Sequence, residues 1–137
     1  MKTSLFLLAA LVCLARPLPA QTAAPAEAPA AAVKNVSADD AEKLLREKKD
    51  IVVLDLRTGT EFKTGHIAGA KNLDFLGSDF AQQVAALDKT KTYLVHCGSG
   101  RRSTKSLEIF QAQKIPSILH LHEGFKAWET AGKPVEK

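Results

Sequence analysis

Cysteine is nearly missing from this chain: 137 residues hold two, Cys13 and Cys97. One disulfide is the most they could form, so a disulfide-stapled scaffold is excluded. Long apolar runs are missing as well. The most apolar stretch, Leu5 to Leu14 ("LFLLAALVCL"), has ten residues, half of the ~20 needed to span a bilayer. With Lys2 before it and "RPLPA" after it, the run has the layout of a secretory signal peptide cut behind Ala20. Residues 1–20 are therefore expected to leave, taking Cys13 with them. The expected location is outside the cytoplasm, in a bacterial periplasm, with no membrane contact after cleavage. Cys97 would then be the single thiol of an exported chain, which must be either buried or used.

Large apolar side chains are scarce between Gln21 and Lys34 ("QTAAPAEAPAAAVK"). Such a stretch cannot offset the entropy of ordering, and a linker is expected over residues 21–34. The folded unit is expected over residues 35–137, long enough for one core without disulfides. Charge of one sign is lacking too. Residues 35–137 carry 16 Lys and Arg against 14 Asp and Glu, and aromatics make up 6% of the chain. No basic stripe with interleaved aromatics exists, so nucleic acid is not an expected partner.

What is present alternates between strand and helix patterns. Ser37 and Asp40 suggest a cap for a helix carrying Ala41, Leu44 and Leu45 through about Lys48. The apolar run Ile51 to Asp55 ("IVVLD") reads as a strand buried on both faces. "TGTEFKTGHIAGAKNLD" is loop-rich, with three glycines and a short edge strand at "AKNL". A helix at Ser78–Leu87, a strand at Thr92–His96, a helix at Ser103–Gln113, a strand at Ser117–Leu121 and a helix at Phe125–Ala131 complete the pattern. Phe125 and Trp128 would anchor the last helix in the core. The alternation predicts an α/β fold of three layers, a mostly parallel central sheet flanked by helices.

In such a sheet, ligands bind beyond the carboxyl ends of the strands. There lies "HCGSGRRS" (His96 to Ser103). The helix that follows aims its N-terminal amides and dipole at Cys97, and Gly98 and Gly100 let successive N–H groups curve into an anion-binding nest. Arg101 and Arg102 add positive charge, and a guanidinium can hold an oxyanion through two hydrogen bonds. All of these lower a thiol pKa and favour the nucleophilic thiolate. His96 either packs beside this loop or points into the sheet layer.

The chain also resembles the rhodanese-homology family. In "VLDLRTGTEFKTGHIAGAKNL" the matching positions are Asp55, Arg57, Glu61, Gly65, His66, Ile67, Gly69, Ala70 and Asn72. "CGSGRRS" resembles the family's active-site loop and "LHEGFKAWETAGKPV" its closing segment. Glu123 departs from the pattern where the first of two glycines is usual, and Asp74 where proline is frequent. The resemblance implies a rhodanese-like fold and a thiosulfate sulfurtransferase acting by double displacement. Cys97 would carry a persulfide between a small-molecule donor, thiosulfate or polysulfide, and a thiophilic acceptor such as cyanide, a small thiol or a protein thiol. Gly98, Ser99, Gly100, Arg101 and Arg102 would bind the substrate, with Arg102 the stronger choice for orienting the donor oxyanion, and no metal or organic cofactor is needed. Asp55, Arg57, Glu61 and His66 are expected to be structural support, the first three as one charge cluster. His120 and His122, two apart on a strand, share a face and suit a metal, but no third ligand accompanies them.

Other readings are a non-catalytic binding module, a thiol redox sensor, and a cysteine-dependent phosphatase or arsenate reductase. The phosphatase loop has five residues between Cys and Arg. Here four stand between Cys97 and Arg102, a tighter cradle suited to a sulfur atom. Leaving-group protonation would also require an acid, with Asp74, Asp79 and Glu123 as candidates.

Overall fold

The computed structural model describes residues 31–137. The expected signal peptide and the first ten residues of the expected linker lie outside the described residues. The elements run β1 (Ala32–Val36), α1 (Ala38–Glu47), β2 (Ile51–Asp55), α2 (Gly59–Thr64), β3 (His66–Ile67), β4 (Lys71–Asn72), α3 (Phe80–Ala85), β5 (Thr92–His96), α4 (Arg101–Ala112), β6 (Ser117–Leu121), α5 (Gly124–Thr130) and β7 (Val135–Glu136). Five strands form one sheet in the order β1-β6-β5-β2-β4, and every neighbouring pair is parallel. Strands β3 and β7 make a separate antiparallel ribbon. This is the layered, mostly parallel α/β fold expected from the pattern.

Helices cover both faces of the sheet. On one, Leu54, Tyr93, Val95 and Ile118 pack against Phe80 and Val84 of α3 and Phe110 of α4. On the other, Val53, Leu94 and Leu121 meet Ala38 and Ala41 of α1 and Phe125 and Trp128 of α5. The continuous apolar runs of β2 and β5 follow from this double burial. Ser37 caps α1, its hydroxyl accepting from the Asp40 N–H at 3.2 Å.

The structure departs from expectation in the β3–β7 ribbon, which the pattern did not suggest, and at three further places. Strand β1 starts at Ala32, inside the stretch assigned to linker. Its residues pair in register with Ser117–Leu121 of β6. Val36 is the only one of the five that is buried, so this edge strand is held by backbone hydrogen bonds and leaves no apolar pattern. Helix α2 occupies what reads as loop. Thr58 and Glu61 make a capping box for it, each side chain bonded to the other residue's backbone N–H. Helix α4 begins at Arg101, two residues before the expected Ser103, which puts both arginines in its first turn.

Topology fixes where a ligand can sit. From β2 the chain moves outward to β4, and from β5 it crosses in the other direction to β6. Neighbouring parallel strands whose connections diverge open a crevice at their carboxyl ends. Asp55 and His96 end those strands opposite one another, and Cys97 is the next residue.

Candidate active site

Cys97 lies at the floor of the crevice with 1% of its surface exposed. The Gly100 N–H donates to Sγ at 3.2 Å, and the amides of Ser99, Arg102 and Ser103 also face the sulfur. The Ser103 hydroxyl stands 3.6 Å away. Burial acts most strongly on this thiol and raises its pKa, but the Ser103 amide and hydroxyl and the Ser99 and Arg102 amides together outweigh it. The pKa falls below the ordinary thiol value. The turn that aims these amides depends on Gly100, whose φ is +85° and whose missing Cβ leaves room for the His122 carbonyl oxygen.

The two arginines part company. Arg102 forms a two-pronged pair with Glu61, Nη1 to Oε2 at 2.8 Å and Nη2 to Oε1 at 2.9 Å. The Arg102 hydrogen bonds hold the Glu61 pKa down to about 2, and Glu61 in turn raises that of Arg102. Arg101 is exposed. It lines an open cavity of about 430 Å3 with Ser99, Gly100, Thr104, Lys105 and His122.

The expected Asp55–Arg57–Glu61 cluster is therefore two separate units. Asp55 and Arg57 form a buried fork, with Nη2 to Oδ2 at 2.6 Å and Nε to Oδ1 at 3.0 Å, and Nη2 also donates to the Gly65 carbonyl at 2.7 Å. Glu61 is held instead by its place in α2, where Oε2 accepts from the Thr58 N–H at 2.9 Å. Its second partner is on α4. His66 supports its own corner, stacked on Phe62 at 3.8 Å and donating from Nδ1 to the Phe62 carbonyl at 3.0 Å.

Helix α5 carries the loop from beneath. The Phe125 N–H donates to the Cys97 carbonyl at 2.7 Å and the Lys126 N–H to that of Gly98 at 3.1 Å. At Gly124, with φ +73°, a Cβ would come within 2.6 Å of the Gly98 carbonyl oxygen. Glu123 sits at φ −83° in ordinary right-handed backbone and is exposed. The backbone at position 123 thus has no need of glycine, and that at position 124 does. The Phe125 ring is packed by the Arg57 guanidinium, 3.9 Å from its centroid, and by His96 at 6.1 Å.

Three histidines near the loop have different surroundings. His96 points into the layer of Phe125 and Asp55: Nδ1 donates to the Cys97 carbonyl at 3.2 Å, Nε2 lies 3.8 Å from Asp55 Oδ2, and burial lowers its pKa. His120 lies on the other side, with Nε2 2.8 Å from Ser103 Oγ and Nδ1 3.0 Å from Asn35 Oδ1. His122 donates from Nδ1 to the Val36 carbonyl at 3.1 Å. His120, on β6, is thus turned to side-chain partners on α4 and β1, whereas His122 lies beyond the end of the strand. Ser103, His120 and Asn35 form a chain leading from the thiol that sequence reasoning did not assemble. Its local signal is a serine at the end of the Gly-Arg run. The other two members come together only through the β1–β6 pairing.

A sequence profile of the Rhodanese-like domain matches residues 37–131. The chain belongs to this family. It is 30% identical over 87 residues to the thiosulfate sulfurtransferase GlpE of Shewanella oneidensis, a match covering 64% of this chain and 84% of that one. It is 31% identical over 93 residues to an uncharacterized protein of Synechocystis, covering 68% of this chain and 51% of the relative, so it spans about half that protein's length. Among solved structures, a rhodanese-related protein from Thermoplasma volcanium superposes with a TM-score of 0.66 at 29% identity, covering 75% of this chain and 97% of the other. The matched residues include Cys97 and its loop.

Proposed function

We propose that this rhodanese-like chain is a sulfurtransferase that moves a sulfane sulfur from thiosulfate or a polysulfide to a thiophilic acceptor through a Cys97 persulfide. The observation that carries the reading is the convergence of backbone N–H groups on one buried sulfur atom, which lowers its pKa against the pull of burial. In the first step the Cys97 thiolate attacks the outer sulfur of thiosulfate; the Sγ–S bond forms, the donor S–S bond breaks, and sulfite leaves with the electron pair. In the second, the acceptor takes the outer sulfur, becoming thiocyanate where it is cyanide, and Sγ departs as the thiolate. The loop amides hold negative charge on sulfur in both steps, and they need no reorganisation to do so.

Arg102 contributes to this scheme as a positive charge already shared with Glu61, so the donor oxyanion meets a half-satisfied guanidinium. Arg101, exposed beside the loop, has no such restraint and is suited to a first encounter with an anion. A phosphatase reading has less support. Glu61 is the carboxylate paired at this loop, and with a pKa of about 2 it keeps no proton for a leaving group at neutral pH. Asp74 and Asp79 have local partners, Asp74 accepting from the Leu76 N–H and Asp79 from Gln83.

Intact-mass measurement tests the proposal. After incubation with thiosulfate or polysulfide, the chain should gain one sulfur atom, located on the Cys97 peptide, and lose it when cyanide is added. No gain with either donor, together with no sulfite release, would overturn it.

A further inference from the structure

Cys97 has 1% of its surface exposed, so few water molecules can take its proton directly. The chain of side chains behind it offers another route. Ser103 Oγ stands 3.6 Å from Cys97 Sγ and 2.8 Å from His120 Nε2, while His120 Nδ1 stands 3.0 Å from Asn35 Oδ1. Ser103 and His120 are buried, at 0% and 2% exposure, and Asn35 is exposed on the edge strand. An amide oxygen only accepts, so Nδ1 carries the ring proton and Nε2 presents a lone pair to the serine hydroxyl.

We infer that Ser103, His120 and Asn35 form a proton relay that receives the Cys97 proton and pairs the thiolate with a buried imidazolium. The inference rests on Cys97 being the reacting thiol of the proposed function. In the step, the Sγ–H bond breaks and its proton goes to Ser103 Oγ, as the original Ser103 hydroxyl proton passes to Nε2. The products are a thiolate, a neutral serine whose hydroxyl now donates to sulfur, and an imidazolium. Asn35 Oδ1 accepts from Nδ1–H before and after. No atom or electron is left over.

Burial and the neighbouring His122 hold the His120 pKa below its ordinary value, which keeps Nε2 free to accept near neutrality. The groups facing His120 are the uncharged Asn35 from β1, the uncharged Ser103 from α4, the titratable Cys97 beyond that serine, and His122 on its own segment. The counter-charge that favours the imidazolium is thus the thiolate itself. His120 touches no substrate in this arrangement and is a positioning residue.

The test is the pH dependence of Cys97 alkylation by iodoacetamide in the full chain, read on the Cys97 peptide so that Cys13 does not interfere. Wild type should show two inflections, those of a coupled thiol and imidazole. His120→Gln should leave one, with the thiolate midpoint raised by about one pH unit, the size of one lost charge-assisted interaction. Asn35→Asp, an exposed change that leaves the core intact, should lower the midpoint, because a carboxylate opposite Nδ1–H favours the imidazolium. A merely structural role would not produce shifts of opposite sign. Two inflections in His120→Gln, or a midpoint in Asn35→Asp that stays or rises, would overturn the relay. Alkylation requires no sulfur donor, so a chain that shows the expected shifts yet takes up no sulfur would refute the sulfurtransferase reading alone.

Discussion

The ends of β2 and β5 lie side by side in register, Asp55 opposite His96, yet they treat charge in opposite ways. At the end of β2 a full negative charge is met by a full positive one, and the Arg57 fork on Asp55 is buried and complete. At the end of β5 the sulfur is met by backbone dipoles, a hydroxyl and the Arg102 guanidinium, which is shared with a carboxylate on another helix. A side-chain ion pair locks both partners and leaves nothing to react. Backbone amides lower the energy of the anion without neutralising it, so a charged sulfur can be stabilised and still attack. The two ends are joined through Phe125, whose ring lies under Arg57 and whose N–H holds the Cys97 carbonyl.

The largest effect should come from removing the charge that the amides serve. Cys97→Ser is expected to abolish sulfite release and the gain of sulfur mass, because a hydroxyl in the same cradle stays protonated near neutral pH. Circular dichroism should report an unchanged fold. Turnover in the Ser variant would mean that the reactive atom lies elsewhere and that the contrast between the strand ends has no chemical meaning.

At the other strand end the expected damage is to stability. Asp55→Asn leaves the buried Arg57 guanidinium without its counter-charge, a lesion worth about 3–5 kcal/mol when one member of a buried pair is removed. Urea denaturation measures it. A loss below about 1 kcal/mol would show that Gly65 and the Phe125 face suffice to hold the arginine.

Legibility differed between these regions for physical reasons. Strands β2, β5 and β6 were readable to the residue because double burial demands mostly apolar side chains, and Cys97 because its loop concentrates glycine and arginine. Strand β1 was hidden because an edge strand is held by backbone bonds, which any residue except proline can donate. The partner of Glu61 was hidden because the link to Arg102 spans 41 positions in sequence and depends on the start of α4. Nearness in sequence suggested Asp55 and Arg57 instead. The Asn35–His120–Ser103 chain was hidden for the same reason, since its members belong to β1, β6 and α4.

The support beneath the loop allows a smaller and more selective disturbance. Gly124→Ala places a Cβ 2.6 Å from the Gly98 carbonyl oxygen and forces a left-handed residue to carry a side chain, at about 1 kcal/mol or more. The backbone that must yield belongs to the sulfur cradle, so sulfur transfer should fall by roughly tenfold or more, beyond what the stability loss explains. Glu123→Gly should leave activity nearly unchanged. Equal losses in both variants would mean that α5 acts on the loop through its N-terminal dipole rather than through contact.

Glu61→Gln should give the smallest effect, and one that differs by donor. The carboxylate ties both terminal nitrogens of Arg102, and the neutral amide holds them more weakly, which frees the guanidinium toward the crevice. KM for thiosulfate should fall severalfold, while use of a neutral organic polysulfide should hardly change, because only the former offers an oxyanion. Stability should respond with a definite sign. Glu61 has a pKa of about 2 in the folded chain against an ordinary value of 4.5, so its contribution is present above about pH 4.5 and is lost as pH falls toward 2. The Gln variant should lack that part of the acid destabilisation, so its denaturation midpoint should decline less than that of wild type between those pH values. If the two declines are parallel and thiosulfate KM does not move, the Glu61–Arg102 pair belongs with the locked charges of the β2 end rather than with the reactive end of β5.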